Sequence, residues 1–171
     1  MNTNFYISKK LEKTVPVSLI NNVENSIINP LDKWNANIFH VSHKKCWIIT
    51  NSITKYTILL DRIAIVDLPK LSEIFAQTFY EQLQTDNIET NFHILQEIIG
   101  QISLFSTDND QKIIGTQNSI LVHLENWKYE FGHIDNWPFR KINRRLNEIP
   151  YKQTGWILPK EKMNEVLNTI V

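Results

Sequence analysis

Between Ala36 and Leu60 the chain reads as three short β-type runs separated by turn-prone breaks, and this stretch restricts the fold more than any other. In ANIFHV, Ala36, Ile38 and His40 alternate with Asn37, Phe39 and Val41, which defines the two faces of a strand. SHKK interrupts, CWIIT is β-branched and aromatic, NSITK interrupts again, and YTILL closes the pattern. Breaks this short are hairpin connections, because parallel neighbours need a crossover of a dozen or more residues, so the three segments are expected to pair antiparallel. FYIS near the start, IAIV at residues 63–66 and ISLF at 102–105 are weaker strand candidates that would widen the sheet.

After residue 67 the apolar period becomes helical. Asp67 is the expected N-cap of a helix running to about Gln84, with Pro69 in its first turn and Leu71, Ile74, Phe75, Phe79 and Leu83 on its buried stripe. Ile88, Phe92, Leu95 and Ile99 form a second stripe that ends at Gly100, a natural residue beyond a helix C-terminus. A third helix is expected over residues 116–131, a fourth capped by Asp135 with Trp137, Ile142 and Leu146 buried, and a fifth opened by Pro159. The 171 residues contain no repeat, linker or low-complexity window. One α+β domain over residues 1–171 follows: a small, mainly antiparallel sheet on the 36–60 meander, covered by about five helices after residue 67.

Eighteen basic and eighteen acidic residues cancel, so no global field pulls the molecule onto nucleic acid or anionic lipid. The distribution is uneven. Residues 61–108 hold eight acids against two bases, whereas residues 1–60 carry a net +4. On the expected fourth helix Arg140, Lys141 and Arg144 recur three to four apart, with Arg145 beside them, a face suited to phosphates or an acidic protein. The competing reading is a solvated face partly neutralised by the acidic middle of the chain. Cys46 is the one cysteine, so no internal disulfide forms, and a Cys-rich zinc module is excluded. MNTNFYISKKLEK has no apolar h-region, and the longest apolar runs are short and carry charges. Neither a signal peptide nor a membrane span is expected, and the location expected is cytoplasmic.

His40, His43 and Cys46 sit three apart, but they straddle a turn and lack a fourth ligand, so no metal site is expected. No cofactor is expected either: the chain has neither a GxxxxGK[ST] nor a GxGxxG sequence. Two polar segments are candidate ligand sites. In WNAN, just before the first meander strand, Trp34 plugs the core while Asn35 and Asn37 either close turns or rim a pocket. In GTQNS, at the expected start of the third helix, Thr116, Asn118 and Ser119 either cap the helix or help its backbone N–H groups hold an anion. For acid–base chemistry, His123 and Glu130 are two turns apart, too far for a dyad; His133 near Arg140 is the one sketch of a metal-free ribonuclease site.

Several of these segments recur in a fixed order: FYISKKL, WNAN at 34–37, an Asn-x-x-Thr turn at 51–54, the amphipathic helix, GTQNS at 115–119 and RRLNEIP at 144–150. In that order the chain resembles a bacterial family of small single-domain proteins, a domain of unknown function. It departs from the family pattern at Gln117, where Met is usual, and at Ser119, where Asp is common. The resemblance implies a fold and a bacterial origin and carries over no catalytic residue. Two functional expectations stand. One is a non-enzymatic binding module of antitoxin, immunity or regulatory type, holding a protein partner or a small anionic ligand. The other is a nucleic-acid-acting enzyme or ribonuclease-type toxin with His133 and the Arg140–Arg145 cluster at its site. The lack of a coherent acid–base or metal constellation favours the first.

Overall fold

The computed structural model describes residues 2–170. Five strands form one sheet in the order β4-β3-β2-β1-β5: β1 (Asn2–Ile7), β2 (Lys33–Val41), β3 (Lys44–Asn51), β4 (Thr57–Leu60) and β5 (Gln101–Ser106). β2, β3 and β4 are the expected antiparallel meander, with Phe39 opposite Cys46 and Thr50 opposite Thr57. Phe5–Ile7 of FYIS and all of ISLF join the sheet within β1 and β5, and β1 runs parallel to both β2 and β5. The sheet is therefore mixed, an arrangement that local periodicity does not reveal.

IAIV does not become a strand. Ile63 is buried, but Ile65–Lys70 is a 3-10 turn on which Ile65 and Val66 are exposed. A strand there would have to extend the sheet past β4, and that edge is already closed by the side chains of Asn143 and Asn147.

Helices cover both faces, as the apolar stripes require. One face of the sheet presents Phe5, Ile7, Trp34, Ile38, Trp47 and Ile49 to α2 (Leu71–Thr85), α3 (Phe92–Ile99) and α6 (Pro159–Ile170). Trp34 is wholly buried, its indole edge-on to Phe75 and Phe79 at 5.0 and 5.3 Å and its Nε1 donating to the Leu31 carbonyl at 2.7 Å. The other face presents Phe39, Val41, Cys46, Ile48 and Leu59 to Ile120 and Leu124 of α4 (Gln111–Phe131) and to Ile142 and Leu146 of α5 (Phe139–Asn147). A single-turn helix, α1 (Lys9–Glu12), is capped by Ser8 and packs on β2. Among the described residues five helices follow residue 67, and no helix is long and apolar enough to cross a membrane.

Three helix starts differ from the sequence reading. α2 begins at Leu71, and Asp67 instead accepts from the Ala64 N–H at 2.8 Å in the preceding 3-10 turn. α4 begins at Gln111, where the Asp110 carboxylate accepts from the N–H groups of Lys112 and Ile113 at 3.0 and 3.3 Å. α5 begins at Phe139 after Pro138, while Asp135 pairs with Arg62. Of the three, only α4 is closed by a capping side chain; α2 follows Lys70 and α5 follows Pro138 with no side-chain cap bond, so an Asp ahead of an apolar stripe does not by itself mark a helix start.

Candidate functional site

Because β1 is parallel to both β2 and β5, Ile7 and Ser106 stand side by side, and the segments leaving the two strands emerge at the same end of the sheet. The chain runs from β1 to β2 on one side and returns as β5 on the other. In parallel sheets a crevice opens at such a reversal of strand order. Here it is a cleft of about 440 Å³. Tyr6, Ser8, Lys9 and Lys10 border it from β1 and α1, Asn35 and Asn37 from β2, Thr107 and Asn109 from the segment after β5, and Gln117 and Asn118 from α4.

Three segments that are far apart in sequence, FYISKKL, WNAN and GTQNS, thus line one space. WNAN lies inside β2 and not ahead of it, so its residues alternate between faces: Trp34 enters the core, while Asn35 and Asn37 turn toward α4 and α1. The Asn35 amide is held from both ends. Its Nδ2 donates to Asp108 Oδ1 at 2.9 Å, and its Oδ1 accepts from Ser52 Oγ at 3.0 Å. Gln117 Nε2 donates to the Asn35 carbonyl at 2.9 Å, which fixes α4 over β2. Asn37 Oδ1 accepts from Ser8 Oγ at 2.7 Å and so fastens the α1 cap to the cleft wall.

Lys33 Nζ lies 2.7 Å from Asp108 Oδ2 and 5.1 Å from the centre of the Tyr6 ring. Burial pushes the Asp108 carboxyl up, but Lys33, the Asp110 N–H and the Asn35 amide outweigh it and hold it below the ordinary carboxylate value. Tyr6 is pushed up to about 12 by burial and by Glu24. The cleft lining contains amides, hydroxyls and two ammonium groups, and no carboxylate, imidazole or thiol.

The predicted ligand residues divide. Asn35, Asn37 and Asn118 line the cleft. Trp34 is core, Thr116 is buried with its Oγ1 bonded back to the Lys112 carbonyl at 3.0 Å, and Ser119 is exposed outside the lining. Since α4 starts at Gln111, Gly115–Ser119 lies one turn in, and the backbone N–H groups there belong to the helix rather than to an anion. Sequence reasoning missed Tyr6, Lys9, Lys10 and Gln117 as cleft residues. Their one signal was membership of the ordered motifs.

The other motifs are structural. Asn51 Oδ1 accepts from the Ile53 and Thr54 N–H groups at 3.1 and 2.9 Å and from Thr54 Oγ1 at 3.1 Å, which closes the Asn-x-x-Thr turn. Lys55, left-handed at φ 62° and buried, donates its ammonium to the Ser52 carbonyl, and burial pushes its pKa down. In RRLNEIP, Asn147 bonds the backbone of β4.

The basic helix is largely committed within the molecule. Arg145 grips Glu130 with two bonds of 2.8 Å and covers the rings of Trp127 and Phe131, Arg140 pairs with Glu81, and Arg144 lies 3.5 Å from Glu148. Lys141 is exposed and, among the described residues, has no ion-pair partner. His133 bonds the Asp135 N–H at 3.3 Å, so it and Arg140 are each engaged with other groups.

His40 pairs with Lys45 and faces away from the side of the sheet that holds Phe39 and Cys46. The two cannot share a metal. Among the described residues no group of three or more His, Cys, Asp or Glu is arranged to hold one. Burial pushes the Cys46 thiol up to about 11, which leaves it protonated near neutrality.

A family model for a domain of unknown function, DUF6933, matches residues 4–162. The chain belongs to the DUF6933 family. No curated protein and no solved structure matches it. The DUF6933 match includes β1 from Asn4 onward, all of the other four strands and every residue named in the cleft lining, so the elements that build the cleft belong to the family region of the chain.

Proposed function

We propose that this protein is a non-enzymatic binding module and that its polar cleft holds a small anionic ligand. One observation carries the reading: amides from β2 and α4 and two exposed lysines from α1 border a single cleft whose lining offers hydrogen bonds and positive charge but no acid–base pair. Asn35 and Gln117 are immobilised by β2, Ser52 and Asp108, so the wall is organised before any ligand arrives. Lys9 and Lys10 supply the charge an anion would meet, and Asn37 and Asn118 lie beside them. The volume falls within the roughly 300–1,000 Å³ of small-molecule sites.

The alternative, a ribonuclease-type toxin on the basic helix, draws less support, because Arg140 and Arg145 are bonded to Glu81 and Glu130 and His133 to Asp135. The test is a thermal-shift screen of the purified protein against nucleotides, sugar phosphates and dicarboxylates. One anion class should raise the midpoint, by about 2.7 kcal/mol of stabilisation at a hundredfold excess over Kd. Lys9→Gln with Lys10→Gln, and separately Asn37→Ala, should abolish that shift while leaving the unliganded midpoint within about 0.5 kcal/mol for the exposed lysines. A shift that survives both sets of changes places the ligand elsewhere.

A further inference from the structure

The excess positive charge of residues 1–60 is concentrated by the fold, and not on the helix where the sequence draws attention to bases. α1 and its C-cap carry Lys9, Lys10 and Lys13, and the β2–β3 hairpin carries His43, Lys44 and Lys45, all exposed. Among the described residues none of these five lysines has an acidic group within ion-pair distance, in contrast to Arg140, Arg144 and Arg145. Their field reaches His40 between them, whose pKa is pushed down by burial and then by Lys10, Lys45, Lys128 and His43.

Beside the hairpin lies a groove of about 650 Å³ whose lining shares no residue with the polar cleft. Its floor is apolar, made by Val15, Trp47 and Ile63, which are buried. Its outer wall is the 3-10 turn, where Ile65 and Val66 remain 62% and 81% exposed. Lys44 and Lys45, both exposed, also border the groove. Arg62 also borders the groove, but Asp61 and Asp135 hold its guanidinium, so the free charge comes from the hairpin.

We propose that this groove docks an acidic, amphipathic segment of a partner protein. Charge complementarity decides the sign of the partner, since unpaired lysines disfavour a basic or purely apolar surface. The apolar wall decides its class. A phosphodiester backbone would satisfy the lysines but would leave Ile65, Val66 and the Trp47 floor with no complement, and nucleic-acid contacts are dominated by phosphate. A segment that places apolar side chains in the groove and carboxylates toward Lys44 and Lys45 uses both features, in the manner of apolar anchors surrounded by a polar rim. The site is separate from the polar cleft and does not depend on what fills it.

The test is a display selection of random peptides of about 12 residues on the full-length protein, counter-selected on Lys44→Gln/Lys45→Gln/Val66→Ser. All three positions are exposed, and an unchanged denaturation midpoint confirms that the variant folds. Enriched peptides should combine Asp or Glu with spaced apolar residues, bind the parent at least about tenfold more tightly than the variant, weaken as salt rises, and bind Asn37→Ala like the parent. The proposal is overturned if no sequence is enriched over the variant, if the enriched sequences are basic or uncharged, or if Asn37→Ala removes binding. It is equally overturned if a single-stranded oligonucleotide or a fatty acid displaces the selected peptides while binding more tightly than they do.

Discussion

Asn147 binds Thr57 in both directions: its Oδ1 accepts from the Thr57 N–H at 2.7 Å and its Nδ2 donates to the Thr57 carbonyl at 3.0 Å. One turn earlier, Asn143 Oδ1 accepts from the Leu59 N–H at 3.0 Å. The two asparagines of α5 do for β4 what another strand would do, and they leave its outer edge closed. Both are buried, at 0% and 1% exposure, so these backbone groups have no water to turn to.

Replacing Asn147 with Ala should therefore cost about 2–6 kcal/mol, since it strands a buried donor and a buried acceptor at about 1–3 kcal/mol each. Asn147→Asp should also destabilise, because it keeps an acceptor, loses the donor and adds a buried charge. Urea midpoints measure both. A midpoint unchanged by Asn147→Ala would mean that the edge closes by other means.

Phe79 packs between Trp34, Phe75 and Tyr56 with no exposed surface. Phe79→Ala should cost about 3–5 kcal/mol from lost burial and the cavity left behind. On the opposite side of the same helix, Glu73 is exposed, and Glu73→Ala should stay within about 0.5 kcal/mol. Similar midpoints for the two variants would refute the assignment of this stripe to the core.

Asp86 gives a pH signature. Burial raises its carboxyl above 3.8, with the Tyr56 hydroxyl, the Gln82 amide, Arg144 and Lys160 offsetting only part of the effect. The folded protein then holds this proton to higher pH than the unfolded chain does, so folding loses stability as pH rises from about 3.8 through the raised value. Glu81, Glu130 and Asp108 are lowered and act in the opposite sense, so the parent curve alone does not isolate Asp86. The stability difference between Asp86→Asn and parent does isolate it: it should move in favour of the variant across that window and level off above it. A flat difference, or one that moves in favour of the parent, would contradict the raised value.

Gly115 sits one turn inside α4, is exposed, and a Cβ there would meet nothing within 4 Å. Gly115→Ala should stabilise the protein by about 0.5–1 kcal/mol, because it removes backbone entropy from the unfolded chain without strain. Thermal unfolding reads the change, and a lowered midpoint would mean that the position contacts something beyond its own helix.

The sequence by itself determined the meander, the existence of five helices after residue 67, and the burial of Trp34, Phe75 and Phe79. These depend on alternation and on a 3.6-residue period, which are properties of a few consecutive residues. Helix starts were less legible, because an Asp ahead of an apolar stripe offers the same capping chemistry wherever it ends up: Asp110 caps α4, whereas Asp67 bonds the Ala64 N–H and Asp135 pairs with Arg62. Tertiary structure alone decided the parallel placement of β1, and with it the cleft, since Tyr6, Asn37 and Gln117 come together only through strand pairing across long stretches of chain. It also decided which charges are free. Arg140 finds Glu81 across 59 residues, whereas Lys44 and Lys45, on an exposed hairpin, find no acid among the described residues. Composition counts charges, but ion pairing depends on distances of a few ångströms, which the fold sets.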